Sequence, residues 1–128
     1  MIELLGVTKV YRGGVKAVEN LNLTVQSGEL FGFIGPNGAG KSTTIKLMVG
    51  LLEPTAGSIK IDGYDIRTQP LEVKKSIAYV PDSPDIYEKL TGIEYLNFIA
   101  DVYDVPSRLR QERLNYLLDA FDMTNAIG

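Results

Sequence analysis

The stretch that decides the fold is Gly35-Pro36-Asn37-Gly38-Ala39-Gly40-Lys41-Ser42. It fits the pattern G-x-x-x-x-G-K-[ST], in which a glycine-rich loop leads into a helix that begins with a lysine and a hydroxyl residue. A loop that wraps phosphate oxygens must point successive N–H groups inward, and this requires φ values that only glycine adopts freely. The pattern therefore predicts that Gly35, Gly38 and Gly40 shape a phosphate-binding loop.

The residues that follow the glycines have separate predicted roles. A helix beginning at Lys41 would add its N-terminal N–H groups and its dipole to the anion site. The ammonium of Lys41 is expected on the β- and γ-phosphates, where it would act catalytically. The Ser42 hydroxyl is the expected Mg²⁺ ligand, and Thr43 is placed for a further phosphate contact.

Hydrophobic patterning before the loop predicts β-strands. Residues 2–8 and 20–26 have the composition and alternation of half-buried strands. Residues 30–34 are apolar on both faces, which is typical of a central parallel strand covered on both sides. The loop would then follow directly from a buried strand, as its motif requires.

Patterning after the loop predicts a helix and two more strands. Apolar residues recur at helical spacing from Ile45 to Leu52, and Pro54 and Gly57 are expected to end that helix. Short strands are predicted at 58–61 and 76–80. The order of elements indicates an α/β fold with a P-loop core.

The last third of the chain is predicted to be helical. Thr91-x-x-Glu94 is a capping-box pattern ahead of one amphipathic helix. Pro106 interrupts the chain, and Ser107 is a plausible N-cap for a second helix. Three arginines, at 108, 110 and 113, are expected on its solvated face. We therefore divide the chain into a core at 1–84 that carries the phosphate-binding loop and the beginning of a helical subdomain at 85–128.

Composition excludes several classes of protein. The 128 residues include no His and no Cys, which excludes imidazole or thiolate zinc sites, disulfides and a Ser-His-Asp triad. A formal net charge of −3 argues against nucleic acid as a partner. No apolar run approaches the roughly 20 residues of a membrane span. The start of the chain lacks a signal-peptide core, so the cytoplasm is the expected compartment.

The loop and its flanks resemble the ATP-binding cassette (ABC) family of ATPases. Residues 35–43 resemble its Walker A motif in their variable positions as well as their fixed ones. The resemblance continues through Leu47-Met48-Val49-Gly50-Leu51-Leu52-Glu53-Pro54-Thr55-Ala56-Gly57-Ser58-Ile59 and Ile61-Asp62-Gly63. Val10-Tyr11 and the segment 17–23 look like the family's opening strands and adenine-stacking loop.

The resemblance implies an ATP-hydrolysing subunit that powers transport through a transmembrane permease. It implies ATP and Mg²⁺ as cofactors, a homo- or heterodimer of nucleotide-binding domains, and a position on the cytoplasmic face of the cell membrane. A helical segment around 85–105 would meet the permease, with Tyr87, Leu90, Tyr95 and Phe98 as candidate contacts. The implied nucleotide-binding residues are Tyr11, Val18, Gly35, Asn37, Gly38, Ala39, Gly40, Lys41, Ser42, Thr43 and Thr44.

The sequence departs from the family pattern in two respects. Asp82 follows Tyr79-Val80-Pro81 where the family has Gln. An Asp can bind Mg²⁺ or accept a hydrogen bond from water, so Asp82 is a candidate metal and catalytic residue, although it cannot donate an N–H. The family's signature motif, Walker B carboxylates and switch His are absent. In family members these motifs lie further along the chain, so this sequence is expected to be the N-terminal portion of a longer protein. Residues 1–128 alone are expected to bind ATP but lack these motifs.

Two other functions remain open from the sequence. One is a different P-loop enzyme, although the Asp-x-x-Gly and Asn-Lys-x-Asp strings of a GTPase do not occur. The other is an ATP-dependent binding module, or a soluble ABC-type protein, that takes no part in transport.

Overall fold

A computed structural model describes residues 1–81 and 89–124. The chain divides into two compact units, Met1–Val80 and Pro81–Gly128, and each is described by itself. The predicted boundary between residues 84 and 85 lies outside the described residues. The described elements are β1 (Ile2–Val10), β2 (Lys16–Val25), α1 (Lys41–Met48), β3 (Ala56–Ile61), β4 (Tyr64–Asp65), α2 (Pro70–Ser76), α3 (Gly92–Val102) and α4 (Ser107–Ala120).

The first unit is built on an antiparallel sheet with strand order β2-β1-β3-β4. Leu4 and Val7 of β1 are both fully buried although their spacing of three would place them on opposite faces of a regular strand. The pairing of β1 with β2 shifts register between them, and Gly6 takes a φ of +59° there. This bulge turns Val7 back to the core face. The core cluster comprises Leu4, Val7, Val18, Leu47 and Ile59.

The predicted strands at 30–34 and 76–80 are not formed. Residues 30–34 have no strand pairing, and Leu30 and Ile34 are 101% and 99% exposed. Ser76 is the last residue of α2, and residues 77–80 are unpaired. A parallel strand is stable only beside partner strands, and the described sheet takes its strands from β1 to β4 alone. The prediction of a buried central strand is wrong for the described residues because no partner lies beside it.

The helix after the loop ends earlier than predicted. It stops at Met48, and the Gly50 N–H donates to the carbonyl of Leu47 while the Leu51 N–H donates to that of Lys46. Gly50 has a φ of +74°, so this is a Schellman C-cap. Pro54 and Gly57 therefore do not end the helix, because the αL glycine has already done so.

The second unit contains the two predicted helices. The Thr91 hydroxyl accepts the N–H of Glu94, and the Glu94 carboxylate accepts the N–H of Thr91, which confirms the capping box of α3. Pro106, not Ser107, is the N-cap of α4. Arg110 is not on the solvated face: its guanidinium donates to the Asp101 carboxylate at 2.6 Å and so links α4 to the end of α3.

Helix α2 was not predicted, and a carboxylate organises the turn before it. Asp65 Oδ1 accepts the backbone N–H groups of Arg67 and Thr68 at 2.9 and 3.1 Å. These two hydrogen bonds favour the charged form and lower the pKa of Asp65. The carboxylate therefore holds the chain in a turn that leads to Pro70, the first residue of α2.

Acid is expected to remove the stabilisation that Asp65 provides. Because its pKa is lowered in the folded state, the contribution is fully present above about pH 4 and is lost as pH falls through the lowered value. Asp65→Ala should therefore lower the free energy of unfolding at pH 7 by about 1 kcal/mol or less, and the loss should shrink towards pH 3. Urea unfolding of the variant and wild type at both pH values measures this.

The matched control is Asp65→Asn. Its amide oxygen can still accept both N–H groups but does not titrate, so it should retain part of the stability without the pH dependence. A deficit in Asp65→Ala that is as large at pH 3 as at pH 7 would contradict the assignment.

Candidate functional site

The glycines of the loop set its path against strand β2. Gly38 and Gly40 have φ values of +83° and +85°, as predicted, whereas Gly35 is not in the left-handed region. A Cβ on Gly40 would come closer than 3.0 Å to the carbonyl oxygen of Ala17. Gly40 is therefore needed for close approach as well as for backbone freedom, while Gly35 has room for an ordinary contact with Ala39.

Helix α1 begins at Lys41 as predicted, and its N-terminus is uncapped by any side chain. The first bond of the helix runs from the Thr44 N–H to the Gly40 carbonyl. Within the described part of the chain, the N–H groups of Lys41, Ser42 and Thr43 have no hydrogen-bond acceptor. Three free donors and the positive end of the helix dipole make this point suited to an anion.

The Lys41 side chain folds back onto the loop. Its ammonium donates to the carbonyl oxygens of Gly35 and Pro36 at 2.6 and 2.7 Å. Lys41 is half-buried, and these two carbonyls serve as acceptors for its charged group. A phosphate would replace neutral acceptors with charged ones, which form stronger hydrogen bonds to an ammonium.

The three hydroxyl residues after Lys41 differ in their surroundings. Ser42 is exposed, and its hydroxyl makes no hydrogen bond within the described residues, so it can serve a metal or phosphate. Thr43 Oγ1 lies 3.4 Å from the Tyr11 hydroxyl. Thr44 is only 3% exposed, and both its N–H and its hydroxyl donate to the Gly40 carbonyl. These two hydrogen bonds close the loop onto α1, and the contact of Thr44 with nucleotide stays a prediction.

Tyr11 lies beside the start of α1. It follows β1 in a turn closed by hydrogen bonds from the Tyr11 N–H to the Val15 carbonyl and from the Gly14 N–H to the Tyr11 carbonyl. Its ring is 39% exposed, and its hydroxyl reaches Thr43. An exposed aromatic ring next to free helix N–H groups can stack on a base whose phosphates occupy the loop.

The remaining predicted site residues are distributed as follows. Asn37 and Ala39 lie exposed on the loop. Val18 is 9% exposed and belongs to the core cluster; it also lines a cleft of about 330 Å³ with Lys41 and Thr44. Asp82, the predicted catalytic and metal residue, lies outside the described residues.

The candidate permease contacts are partly described. Leu90 and Phe98 are exposed in the second unit, and Tyr95 of α3 is half-buried. Tyr87 lies outside the described residues.

Sequence reasoning missed Lys9, whose ammonium lies 5.6 Å from the centroid of the Tyr11 ring. The signal was available, because residues two apart on an extended strand share a face.

Two features are absent from the described residues, 1–81 and 89–124. No helix there is long and apolar enough to cross a membrane. No group of three or more acidic side chains there is placed to hold a metal ion. A Mg²⁺ ion at this site would fit as the phosphates' own counter-ion, held on the protein by the exposed hydroxyl of Ser42, since Mg²⁺ usually keeps water and phosphate oxygens as ligands.

The sheet, the glycine-rich loop and the uncapped helix define a P-loop nucleotide-binding protein of the α/β class. The ABC transporter family model matches residues 18–126, and the chain belongs to this family. It is 40% identical, over 96% of its length, to the choline transport ATP-binding protein OpuBA of Bacillus subtilis (strain 168), of which it covers 32%. It is 37% identical, over 98% of its length, to the daunorubicin/doxorubicin resistance ATP-binding protein DrrA of Streptomyces peucetius, of which it covers 38%.

Solved structures agree with this assignment. An ATP-binding subunit of an ABC transporter superposes with a TM-score of 0.91 at 35% identity, covering 99% of this chain and 52% of that one. The dimeric structure of MJ0796, a bacterial ABC transporter cassette, superposes with a TM-score of 0.84 at 25% identity, covering 99% and 60%. The chain thus spans about a third of the curated relatives and about half of the structural ones.

Proposed function

We propose that this chain is the ATP-binding portion of the ATPase subunit of an ABC transporter. The observation that carries the proposal is the juxtaposition of Tyr11 with the loop, through the 3.4 Å contact between its hydroxyl and Thr43 Oγ1. An aromatic ring, a glycine-rich loop and a lysine at one helix start match the three parts of ATP: base, phosphate chain and terminal charge.

ATP binding would rearrange one side chain. The Lys41 ammonium would exchange the carbonyls of Gly35 and Pro36 for β- and γ-phosphate oxygens, while the free N–H groups of α1 hold the phosphate chain. Mg²⁺, when bound with the nucleotide, would neutralise phosphate charge. Ser42 and Asp82 are its proposed protein ligands. Hydrolysis in the whole protein would be attack of water on the γ-phosphate, accelerated by positioning and by stabilisation of charge.

The proposal for transport rests on the relatives. OpuBA and DrrA are named as transport and resistance ATP-binding proteins, and MJ0796 is described as a dimer. We propose that the protein pairs with a second nucleotide-binding domain and works at the cytoplasmic face of the membrane with a permease. In this proposal Leu90, Tyr95 and Phe98 belong to the region that meets the permease, together with Tyr87.

Changes at Tyr11 test nucleotide binding. Tyr11→Ala should weaken ATP and GTP alike by about tenfold, because stacking on an aromatic ring contributes about 1–3 kcal/mol and does not read the base edge. Tyr11→Phe should bind nearly as well as wild type, because a 3.4 Å bond between hydroxyls is weak. Isothermal titration calorimetry measures the affinities of wild type, Tyr11→Ala and Tyr11→Phe for ATP, for GTP and for the hydrolysis-resistant imido analogue of ATP.

The matched control is Tyr64→Ala, which removes another exposed tyrosine from β4 of the same unit. It should leave the affinity unchanged. Equal affinities of Tyr11→Ala and Tyr11→Phe would count against stacking, and a wild-type protein that does not bind ATP would overturn the proposed function.

A further inference from the structure

We propose that Lys9 is a positioning residue that holds the Tyr11 ring ready for the nucleotide base. The inference rests on the proposed function, in which Tyr11 is the stacking platform. Its basis is one ammonium with two partners: Lys9 Nζ lies 5.6 Å from the Tyr11 ring centroid and 2.7 Å from the carbonyl oxygen of Glu53.

The Glu53 carbonyl is itself held in place against β1. The Thr55 N–H donates to the Thr8 carbonyl at 2.8 Å, and the Val10 N–H donates to Thr55 Oγ1 at 3.0 Å. These bonds attach the segment that precedes β3 to the end of β1. The acceptor for Lys9 is therefore part of the folded frame, and the ammonium is fixed relative to the strand from which Tyr11 extends.

A fixed cation over the ring has two consequences for stacking. It is attracted to the negative face of the ring, and it is half-buried, which strengthens this attraction relative to a fully solvated pair. It also lies over one face of the ring, so a base would stack on the opposite face. Because the cation restrains the ring before the base arrives, less conformational entropy is lost when a base binds.

The test separates the base from the phosphates. Affinity for ATP depends on both, whereas inorganic tripolyphosphate has no base, so the ratio of the two affinities reports the contribution of stacking. Lys9→Gln is expected to lower the affinity for ATP about threefold and to leave that for tripolyphosphate unchanged. Lys9→Arg should restore the wild-type ratio, because a guanidinium also lies favourably over an aromatic face.

The matched control is Lys60→Gln, which makes the same change of charge at an exposed position on β3 and should alter neither affinity. Both affinities are measured by calorimetry in the presence of Mg²⁺. Thermal melting of each variant checks that the sheet is intact, and Lys9→Arg provides a second, conservative variant if Lys9→Gln unfolds.

Three outcomes would overturn the inference. One is a Lys9→Gln variant whose ratio of ATP affinity to tripolyphosphate affinity equals that of wild type. Another is an equal loss for ATP and tripolyphosphate, which would show that Lys9 acts on the phosphates by its charge. The third is a Lys9→Arg variant as impaired as Lys9→Gln. Failure of the proposed function is distinguishable, because wild type itself would then not bind ATP.

Discussion

A Lys41→Ala variant is expected to bind ATP about 100-fold more weakly than wild type while remaining folded. Each hydrogen bond from the Lys41 ammonium to a phosphate oxygen is charge-assisted and contributes about 1.5–3 kcal/mol. On binding ATP, Lys41 gives up its bonds to the Gly35 and Pro36 carbonyls, which offsets part of this sum and leaves about 3 kcal/mol, a factor of about 100. The cost to the fold should be small, since the two bonds lost are to carbonyls of the exposed loop residues Gly35 and Pro36.

Thermal melting with and without ATP and Mg²⁺ measures both effects in one experiment. Wild type should melt at a higher temperature with nucleotide, because a ligand that binds only the folded state stabilises it. Lys41→Ala should melt near the wild-type temperature without nucleotide and show almost no shift with it.

Lys46→Ala is the matched control for Lys41→Ala. Lys46 is exposed in the last turn of the same helix, away from the loop, so its variant should keep the full shift. If the ATP-dependent shift persisted in Lys41→Ala, the role assigned to Lys41 would be wrong.

Alanine at Gly40 is expected to damage both the fold and the site. Its φ of +85° is unfavourable for any residue with a Cβ, and the new Cβ would collide with the Ala17 carbonyl of strand β2. Because the atom in the way is a backbone carbonyl oxygen, a change of side-chain rotamer cannot relieve the collision. We expect a loss of about 3 kcal/mol or more in the free energy of unfolding, with a displaced loop and no measurable ATP binding.

Two other glycines separate the effect of a positive φ from the effect of the collision with Ala17. Gly38 has a φ of +83° but open space around its would-be Cβ, whereas Gly32 has neither a positive φ nor a close neighbour. Urea unfolding should rank the variants with Gly32→Ala least affected, Gly38→Ala intermediate and Gly40→Ala most affected. A Gly40→Ala variant no less stable than Gly38→Ala would show that the contact with Ala17 has no energetic consequence.

Local chemistry explains the parts of the fold that were predicted correctly. The start of α1 at Lys41 and the capping box at Thr91 and Glu94 depend on residues within a few positions of each other. The predicted strand segments 2–8 and 20–26, which fall largely within β1 and β2, also follow from local patterning. Such features are visible in a sequence because both interacting partners are adjacent in it.

Predictions failed where the partner is distant or a competing local signal was overlooked. The apolar run at 30–34 has the composition of a buried strand, but pairing needs a neighbour that its own residues do not specify. Pro54 and Gly57 predict a later end for α1, but Gly50 provides the αL residue that a Schellman cap needs and ends the helix first. Helix α2 was missed although Pro70 suits a first helical position.

By itself, the sequence determined the kind of site in this protein. The spacing of Gly35, Gly38, Gly40 and Lys41 dictates an anion-binding loop ahead of a helix, because the constraints involved are backbone φ, the helix dipole and one flexible cation, all local properties. The motif and its flanks resemble the ABC family, and the match of the ABC transporter family model to residues 18–126 confirms this resemblance.

Only the tertiary structure decided how the parts of the site are held together. Three contacts join residues more than twenty positions apart: Tyr11 with Thr43, Lys9 with Glu53, and the close approach of Gly40 to the Ala17 carbonyl. No local propensity encodes such contacts, since they arise when the sheet and α1 pack around Leu4 and Leu47. That packing brings the end of β1 to the start of α1, and so places an aromatic ring beside the loop.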